Sequence, residues 1–227
     1  MTTDIKTTAK IDTVIFDLDG TLVHTAPDLL CATNHVLAQY DRQPMVLDDI
    51  LETVSFGAKQ MIRRGFELTG DPADEQQLDV MFMRFIDFYI ANIAVDSRPF
   101  DGCLDLLEKC QAKGMKLGVC TNKHETLAVK LLAELDMLKY FSAIIGPDTI
   151  NIAKPDPAPY RETVSRIGGN IHKSIMVGDS KIDILTAKAA NVPVIALTFG
   201  YSDEPIEKLG ADYVLGHYDE MGEILLP

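Results

Sequence analysis

Two aspartates lie close together after a short apolar run near the start of the sequence. The run 13–16 (Thr-Val-Ile-Phe) leads into the segment 17–21 (Asp-Leu-Asp-Gly-Thr). Along an extended chain the side chains of Asp17 and Asp19 point to the same side, and the intervening leucine points to the other. Two neighbouring carboxylates repel each other unless a cation lies between them or they share a proton. Because Gly20 also lets the backbone turn sharply, this pattern predicts a reactive acidic site.

Two later segments supply groups that could hold a phosphate. Thr121 and Asn122 follow the apolar run 116–120 and precede a helical stretch, where a hydroxyl and free backbone N–H groups can bind an anion. Lys154 stands before Pro155, which holds it extended, and its ammonium could offset negative charge. Each segment has a structural alternative, since Thr and Asn often cap helices and a lone lysine is usually solvated.

A fourth segment supplies two more carboxylates. Asp179 lies just beyond the apolar run 174–177, and Asp183 lies four residues further, in the first turn of a predicted helix. Both could face one point, and a hard divalent cation such as Mg²⁺ prefers oxygen ligands of this kind. An acid that stabilises a helix N-terminus is the structural alternative. Together, however, the four segments contain a nucleophile, an acid/base, a phosphate site, a positive charge and a metal site, which unrelated turns would rarely assemble.

The elements that would position these groups alternate along the chain. Short, continuously apolar runs suit strands buried on both faces, and amphipathic helical stretches separate them. This alternation predicts an α/β fold, a parallel Rossmann-like sheet with helices on both faces, in which ligands bind beyond the carboxyl ends of the strands. The predicted strands are 13–16, 116–120, 143–145, 174–177 and 192–197, and the predicted helices between them are about 102–113, 124–135, 156–167 and 180–190.

One region interrupts the alternation. Between about residues 27 and 95 the pattern is helical and no convincing strand is found. We therefore expect an inserted α-helical cap at 26–97, an α/β core made of 11–25 and 98–227, and a flexible N-terminal tail at 1–10. The predicted cap helices are roughly 27–40, 46–53, 58–68 and 73–94.

Composition limits the classes of partner. A formal net charge of −13 gives a surface that repels nucleic acids and anionic membranes. No stretch reaches the ~18 apolar residues of a membrane span, and the polar first ten residues lack the apolar stretch of a signal peptide. The four cysteines form no C-x-x-C pair and are expected to be reduced. These features favour a cytoplasmic protein that binds a small molecule. We expect a monomer or a homodimer, and the sequence does not distinguish between the two.

The four segments, in this order, resemble the four motifs of the haloacid dehalogenase (HAD) superfamily. The helical insert resembles the cap of its first subclass, and the resemblance extends from about residue 13 to the end of the sequence. It is closest to the group of phosphoglycolate phosphatases and implies a Mg²⁺-dependent phosphatase that hydrolyses a small phosphomonoester, 2-phosphoglycolate, through an aspartyl-phosphate intermediate. The segments that carry this closer resemblance are 23–29, 121–123, 154–155, 177–183 and 199–201.

The resemblance implies a role for each matching residue. Asp17 would be the nucleophile, and Asp19 would protonate the leaving oxygen and then activate the hydrolytic water. Asp17, the backbone carbonyl of Asp19 and Asp179 would bind Mg²⁺, with Asp183 in support, while Lys154 would position Asp17. The phosphate-binding residues would be Thr121, Asn122, Lys154 and Gly20.

In this family the cap would select the substrate and exclude water. Lys59 and Arg63 lie on a predicted helix entered through Gly57 and could bind a substrate carboxylate. A solvated helix face is the alternative for both. His24 stands where such phosphatases usually carry an acidic residue, so it either faces the cleft or is a surface variant.

Other activities on the same fold remain open. A phosphatase for another small ester fits the same motifs, and a phosphomutase, which returns the phosphoryl group to a substrate, is compatible with Lys59. A dehalogenase is disfavoured because that relative lacks the second acid, which is Asp19 here. A non-catalytic binding protein would be expected to have lost part of the motif set, and all four segments are complete.

Overall fold

Strands and helices alternate along the chain in the computed structural model, which describes residues 10–226. All of the predicted N-terminal tail except residue 10 lies outside the described residues. The strands are β1 (Thr13–Phe16), β2 (Val23–His24), β3 (Arg98–Pro99), β4 (Lys116–Cys120), β5 (Ala143–Ile145), β6 (Ser174–Gly178), β7 (Val194–Leu197) and β8 (Tyr213–Leu215). The α-helices are α1 (Ala26–Ala38), α2 (Leu51–Val54), α3 (Ala58–Thr69), α4 (Glu75–Ala91), α5 (Cys103–Ala112), α6 (Glu125–Glu134), α7 (Ala158–Arg166), α8 (Lys181–Ala190) and α9 (Tyr218–Leu225). Short 3₁₀ turns occupy Leu47–Asp49, Leu138–Tyr140, Ile171–Lys173 and Ile206–Lys208.

Six strands form one parallel sheet in the order β5-β4-β1-β6-β7-β8. β1 pairs with β4 on one side and with β6 on the other, so that Thr13 lies beside both Lys116 and Ser174. The chain first adds strands on one side of β1 and then crosses to the other, and ligands bind at such a switch point. The predicted α/β class with a parallel sheet is confirmed.

The central strand is buried along its whole length because helices cover both faces of the sheet. Val14 and Phe16 pack in the apolar cluster that includes α5, α6 and α9, whereas Ile15 packs in a second cluster with α7 and α8. Burial on both faces explains why the strands read as continuous apolar runs rather than as alternating ones.

The segment between β2 and β3 is built from helices. These two strands pair antiparallel, so the chain leaves and re-enters the α/β part through one short ribbon. α1 packs on α3 and α4, and α3 packs on α4, around buried side chains such as Leu37, Ile62 and Phe85. The assignment of residues 26–97 as a separate cap stays a prediction. None of the helices in the described range is long and apolar enough to cross a bilayer.

Some elements differ from the sequence-based predictions. The predicted helix 46–53 is a 3₁₀ turn followed by α2, because the Asp49 carboxylate accepts a hydrogen bond from the Val46 N–H (2.8 Å) and caps a separate turn. The hydrophobic pattern of the sequence does not predict β8 and α9, which follow the last predicted strand. A strand of three half-buried residues carries little periodic signal.

A buried carboxylate joins the start of the helical segment to its end. Asp28, in the first turn of α1, accepts hydrogen bonds from the backbone N–H groups of Asp96 and Ser97 and from the Ser97 hydroxyl, at 2.7–3.1 Å. Buried polar groups need such partners to offset lost hydration. These bonds therefore fix the position at which the chain returns to the sheet.

We predict that Asp28→Ala lowers the free energy of unfolding by roughly 2–3 kcal/mol, because it leaves the buried Ser97 groups without their acceptor. Urea denaturation measures the change. Asp87→Ala, which removes an exposed carboxylate on α4, is the matched control and should change stability by less than about 0.5 kcal/mol. Equal stability of the two variants would show that the Asp28 bonds are not needed.

Candidate active site

The predicted site residues converge at the carboxyl edge of the sheet. Asp17 directly follows β1, Thr121 follows β4, Asp179 follows β6, and Lys154 lies in the loop after β5. A cavity of about 380 Å³ separates this edge from the helical segment. The sheet side of its lining includes Asp17, Asp19, Thr121, Asn122, Lys123 and Lys154.

Three buried carboxylates form the centre of the site. One oxygen each from Asp17, Asp179 and Asp183 lies within 4.8 Å of the others. Burial raises the pKa of Asp17 to about 7, although the Lys154 ammonium opposes this. Burial also raises the pKa of Asp179 well above its ordinary value, and the neighbouring carboxylates add to the effect. The cluster therefore needs positive charge if it is to be ionised at neutral pH.

Lys154 supplies part of that charge. Its almost fully buried ammonium lies 2.6 Å from Asp183 Oδ1 and 2.9 Å from Asp17 Oδ1. The first contact is a hydrogen bond, whereas the second lacks hydrogen-bond geometry and is an ion pair. Burial lowers the pKa of Lys154, but the two carboxylates outweigh burial and raise it above the usual lysine value. The side chain therefore remains an ammonium.

The charge that remains fits a divalent cation. Three carboxylates less one ammonium leave two negative charges, and Asp17 Oδ1 accepts no hydrogen bond within residues 10–226. Mg²⁺ is typically held by a few carboxylates together with waters and substrate phosphate. The third carboxylate of the cluster is that of Asp183, while the Asp19 carboxylate points elsewhere. A ligand role for the Asp19 backbone carbonyl stays a prediction.

The first motif and the loop after β7 hold Asp179 in place. Its carboxylate accepts hydrogen bonds from the Thr21 hydroxyl (2.6 Å) and from the Tyr201 backbone N–H (2.7 Å). Gly20 has a φ of 83°, and a Cβ there would lie 2.3 Å from an Asp179 oxygen. Glycine is required here by both the left-handed backbone and the close approach. A role for Gly20 in phosphate binding stays a prediction.

The second carboxylate of the first motif has a different partner. Both oxygens of Asp19 accept hydrogen bonds from Lys123 Nζ, at 2.8 and 3.0 Å. This ammonium also lies 4.9 Å from the centre of the Tyr89 ring, which α4 contributes. Burial opposes the charge on Lys123, but Asp19 outweighs it and raises the lysine pKa. Asp17 and Asp19, two residues apart, are thus each paired with a lysine of their own.

Thr121 and Asn122 order the loops around the site. The Thr121 hydroxyl accepts a hydrogen bond from the Lys123 backbone N–H at 3.1 Å. The Asn122 side chain accepts from the backbone N–H of Lys154 at 3.0 Å and donates to its carbonyl at 3.2 Å. Asn122 therefore positions Lys154, whereas phosphate binding by Thr121 and Asn122 stays a prediction.

The two basic residues predicted to select the substrate lie in different places. Lys59 lines the cavity, and its half-exposed ammonium pairs with Asp79. Arg63 is not part of the cavity lining, and its guanidinium pairs with Glu75 at 2.6 Å. The structure places Lys59 beside the other site residues and does not place Arg63 there.

His24 belongs to the ribbon at the base of the helical segment rather than to the cavity lining. Its Nδ1 lies 2.7 Å from the Tyr201 hydroxyl oxygen, and burial lowers its pKa. Because the Tyr201 backbone also donates to Asp179, one residue connects the ribbon to the carboxylate cluster.

Sequence reasoning missed several residues that support the site. Thr21 and Lys123 stand inside recognised motifs, and Tyr201 stands in the segment 199–201, so a signal was present for each. Ser180 also lies in a motif, and both its N–H and its hydroxyl donate to Asp183. Tyr89 gave no such signal, because its proximity to Lys123 is created only by the fold.

Comparison with known proteins identifies similar chains. The sequence profile of the family described as haloacid dehalogenase-like hydrolase matches residues 14–197. A phosphoglycolate phosphatase of Caulobacter vibrioides is 44% identical over 203 residues, which are 89% of this chain and 86% of the relative. A phosphoglycolate phosphatase of Agrobacterium fabrum is 44% identical over 204 residues, which are 90% and 88% of the two chains. A crystal structure described as a predicted phosphoglycolate phosphatase from Haemophilus somnus superimposes with a TM-score of 0.88 at 26% identity, covering 95% of this chain and 98% of the other.

We predict that Mg²⁺ raises the melting temperature of the protein at pH 8 and raises it much less at pH 5. The pKa of about 7 for Asp17 means that Mg²⁺ must displace a proton at the lower pH. Since the pKa of Asp17 in the folded protein exceeds its ordinary value of 3.8, the stability of the metal-free protein falls as the pH rises from about 4 through about 7. Mg²⁺ then offsets this loss.

Scanning calorimetry with and without saturating Mg²⁺ measures the shift at both pH values. Asp179→Asn should remove the shift, and Asp87→Asn, an exposed change on α4, should retain it. A shift of equal size at pH 5 and pH 8, or one that survives in Asp179→Asn, would refute the assignment of the carboxylate cluster as the metal site.

Proposed function

The chain belongs to the haloacid dehalogenase-like hydrolase family, and we propose that it is a Mg²⁺-dependent phosphatase that hydrolyses 2-phosphoglycolate through an aspartyl-phosphate intermediate. The observation that carries the proposal is the pairing of two acids with two lysines at one cavity. Asp17 lies beside Lys154, and Asp19 lies beside Lys123. These pairings support a role in attack for Asp17 and a role in proton transfer for Asp19.

Asp17 acts as the nucleophile. One of its oxygens forms a bond to phosphorus while the bond between phosphorus and the ester oxygen breaks, and the acyl phosphate carries the phosphoryl group. The ammonium of Lys154, 2.9 Å away, favours the ionised carboxylate that attack requires. It also offsets the charge on the transferring group.

Asp19 transfers the protons. It gives a proton to the leaving alkoxide in the first step and takes one from the attacking water in the second. The carboxylate that remains after the first step lies beside the Lys123 ammonium and is the form needed as the base in the second. Each step therefore leaves Asp19 in the state that the next step uses.

The remaining site residues bind and orient. Asp17, Asp179 and Asp183 would hold Mg²⁺, and the Asp19 backbone carbonyl is a further candidate ligand. When bound, the cation neutralises charge that develops on the phosphoryl oxygens. The phosphate would be held by Thr121, Asn122, Lys154 and Gly20.

The identity of the substrate rests on the curated relatives, which are named phosphoglycolate phosphatase at 44% identity, and on the cations that line the cavity. A cytoplasmic location accords with four free cysteines. A second candidate substrate class is a larger phosphomonoester, because a cavity of about 380 Å³ with an apolar cap wall is of a size that also holds larger ligands.

Phosphate release from a panel of phosphomonoesters tests the reaction and the substrate together. We predict that Asp17→Asn lowers turnover by at least about 10³-fold, because the amide is not a nucleophile. Borohydride reduction of enzyme quenched during turnover should convert Asp17 to homoserine, seen in the mass of its peptide. A wild-type enzyme that turns over without this modification would rule out the aspartyl phosphate.

We predict that Asp19→Asn separates the two steps with p-nitrophenyl phosphate. The p-nitrophenolate group leaves without a proton, so the first step persists, whereas hydrolysis of the intermediate still needs a base. Stopped-flow absorbance should show a burst of p-nitrophenol close to the enzyme concentration and then slow release. A slow reaction without a burst would mean that Asp19→Asn already slows the first step with this ester, which contradicts the assignment of Asp19 there as a proton donor alone.

A further inference from the structure

We propose that Lys123 and Tyr89 bind a carboxylate on the leaving group of the substrate and so select phosphorylated 2-hydroxy acids. The proposal rests on the proposed function, since it uses the role of Asp19. Lys123 comes from the loop after β4 and Tyr89 from α4, so the two residues face each other from opposite sides of the cavity. No role in substrate binding follows for either from the four sequence motifs.

The position of Lys123 follows from its contact with Asp19. A residue that protonates the leaving oxygen lies at the leaving-group end of the substrate, and Lys123 Nζ is 2.8 Å from that residue. In a phosphorylated 2-hydroxy acid only one carbon separates the leaving oxygen from the carboxylate. A carboxylate so close to Asp19 is within reach of the same ammonium, which has three N–H donors.

The Tyr89 hydroxyl supplies a second donor. The side chain is 1% exposed and lines the cavity, and its hydroxyl makes no hydrogen bond of regular geometry within the described residues, although it lies near the Lys123 ammonium. A buried hydroxyl without a partner is costly, and a ligand that accepts its hydrogen bond removes this cost. Burial raises the pKa of Tyr89 to about 12, so the group is a donor at neutral pH.

The surroundings make the pair of Lys123 and Tyr89 a stronger anion site than Lys59, the cation that the helical segment contributes to the cavity lining. The wall next to Tyr89 is apolar and includes Phe85 and Ile86, which lowers the local dielectric constant and strengthens an ion pair with Lys123. Lys59 is half exposed and already paired with Asp79, so solvent screens its charge. We therefore assign the carboxylate to Lys123 and Tyr89 rather than to Lys59.

The test compares 2-phosphoglycolate with ethyl phosphate, which replaces the carboxylate by a methyl group. The measured quantity is the ratio of kcat/KM for the two esters with Mg²⁺ present. Tyr89→Phe should lower this ratio about tenfold, and Lys123→Met should lower it by about 100-fold, since hydrogen bonds to charged groups have this strength. Lys123→Arg should recover part of the ratio because it keeps the charge.

Two matched variants serve as controls. Tyr140→Phe removes the hydroxyl of a tyrosine that donates to Glu108 away from the cavity lining, and Lys59→Met removes the cation that the helical segment contributes to that lining. Neither should change the ratio by more than about twofold. Tyr89→Phe removes a buried hydroxyl that makes no regular hydrogen bond, so we expect the variant to fold with a melting temperature no lower than that of the wild type.

The outcomes separate this inference from the proposed function. If the wild-type enzyme hydrolyses both esters and Tyr89→Phe leaves their ratio unchanged, the subsite is overturned and the phosphatase stands. If Lys59→Met lowers the ratio of kcat/KM values and Tyr89→Phe does not, the substrate carboxylate binds at Lys59, and the proposed subsite is again overturned. If the wild-type enzyme hydrolyses no phosphomonoester, the proposed function itself fails, and the subsite with it.

Discussion

A buried ammonium between two buried carboxylates is the interaction on which the site depends. Lys154 reaches both Asp17 and Asp183 from a loop that Asn122 anchors through the Lys154 backbone. Without this ammonium, carboxylates so close together in an apolar environment would tend to remain protonated. The parallel sheet, the switch point at β1 and the glycine turn of the first motif all serve to bring these charges together where water is largely excluded.

The two acids of the first motif differ in their chemistry because different residues surround them. Asp17 lies in the carboxylate cluster, where burial and like charges raise its pKa to about 7. Asp19, two residues later, lies outside the cluster and binds Lys123 with both oxygens. The sequence spacing places both on the same side of the chain, but it is the tertiary partners that make one a nucleophile and the other an acid/base in the proposed reaction.

The local pattern of the sequence predicts most of the α/β part, because strands buried on both faces leave a continuous apolar signal. Strand β4 and its neighbours in the sheet, β1 and β5, follow this rule, whereas β8 has too few residues to give such a signal. The reactive residues at the strand ends could also be predicted from the sequence, since each motif is a short contiguous segment. The approach of Tyr89 to Lys123 could not be predicted from the sequence, because it depends on how α4 packs over the sheet edge. The ion pairs of Lys59 and Arg63 depend on a different tertiary contact, the packing of α3 against α4.

The ribbon of β2 and β3 has a consequence for how this architecture can diversify. The chain enters and leaves the whole helical segment through two strands of two residues each, and the bonds of Asp28 hold the two ends of the segment together. A different helical segment could therefore be grafted at this ribbon while the four strand ends keep their carboxylates and lysines. The contact of Tyr89 with Lys123 limits that freedom, because a different helical segment would keep the lysine paired with Asp19 but would lose the aromatic ring above it.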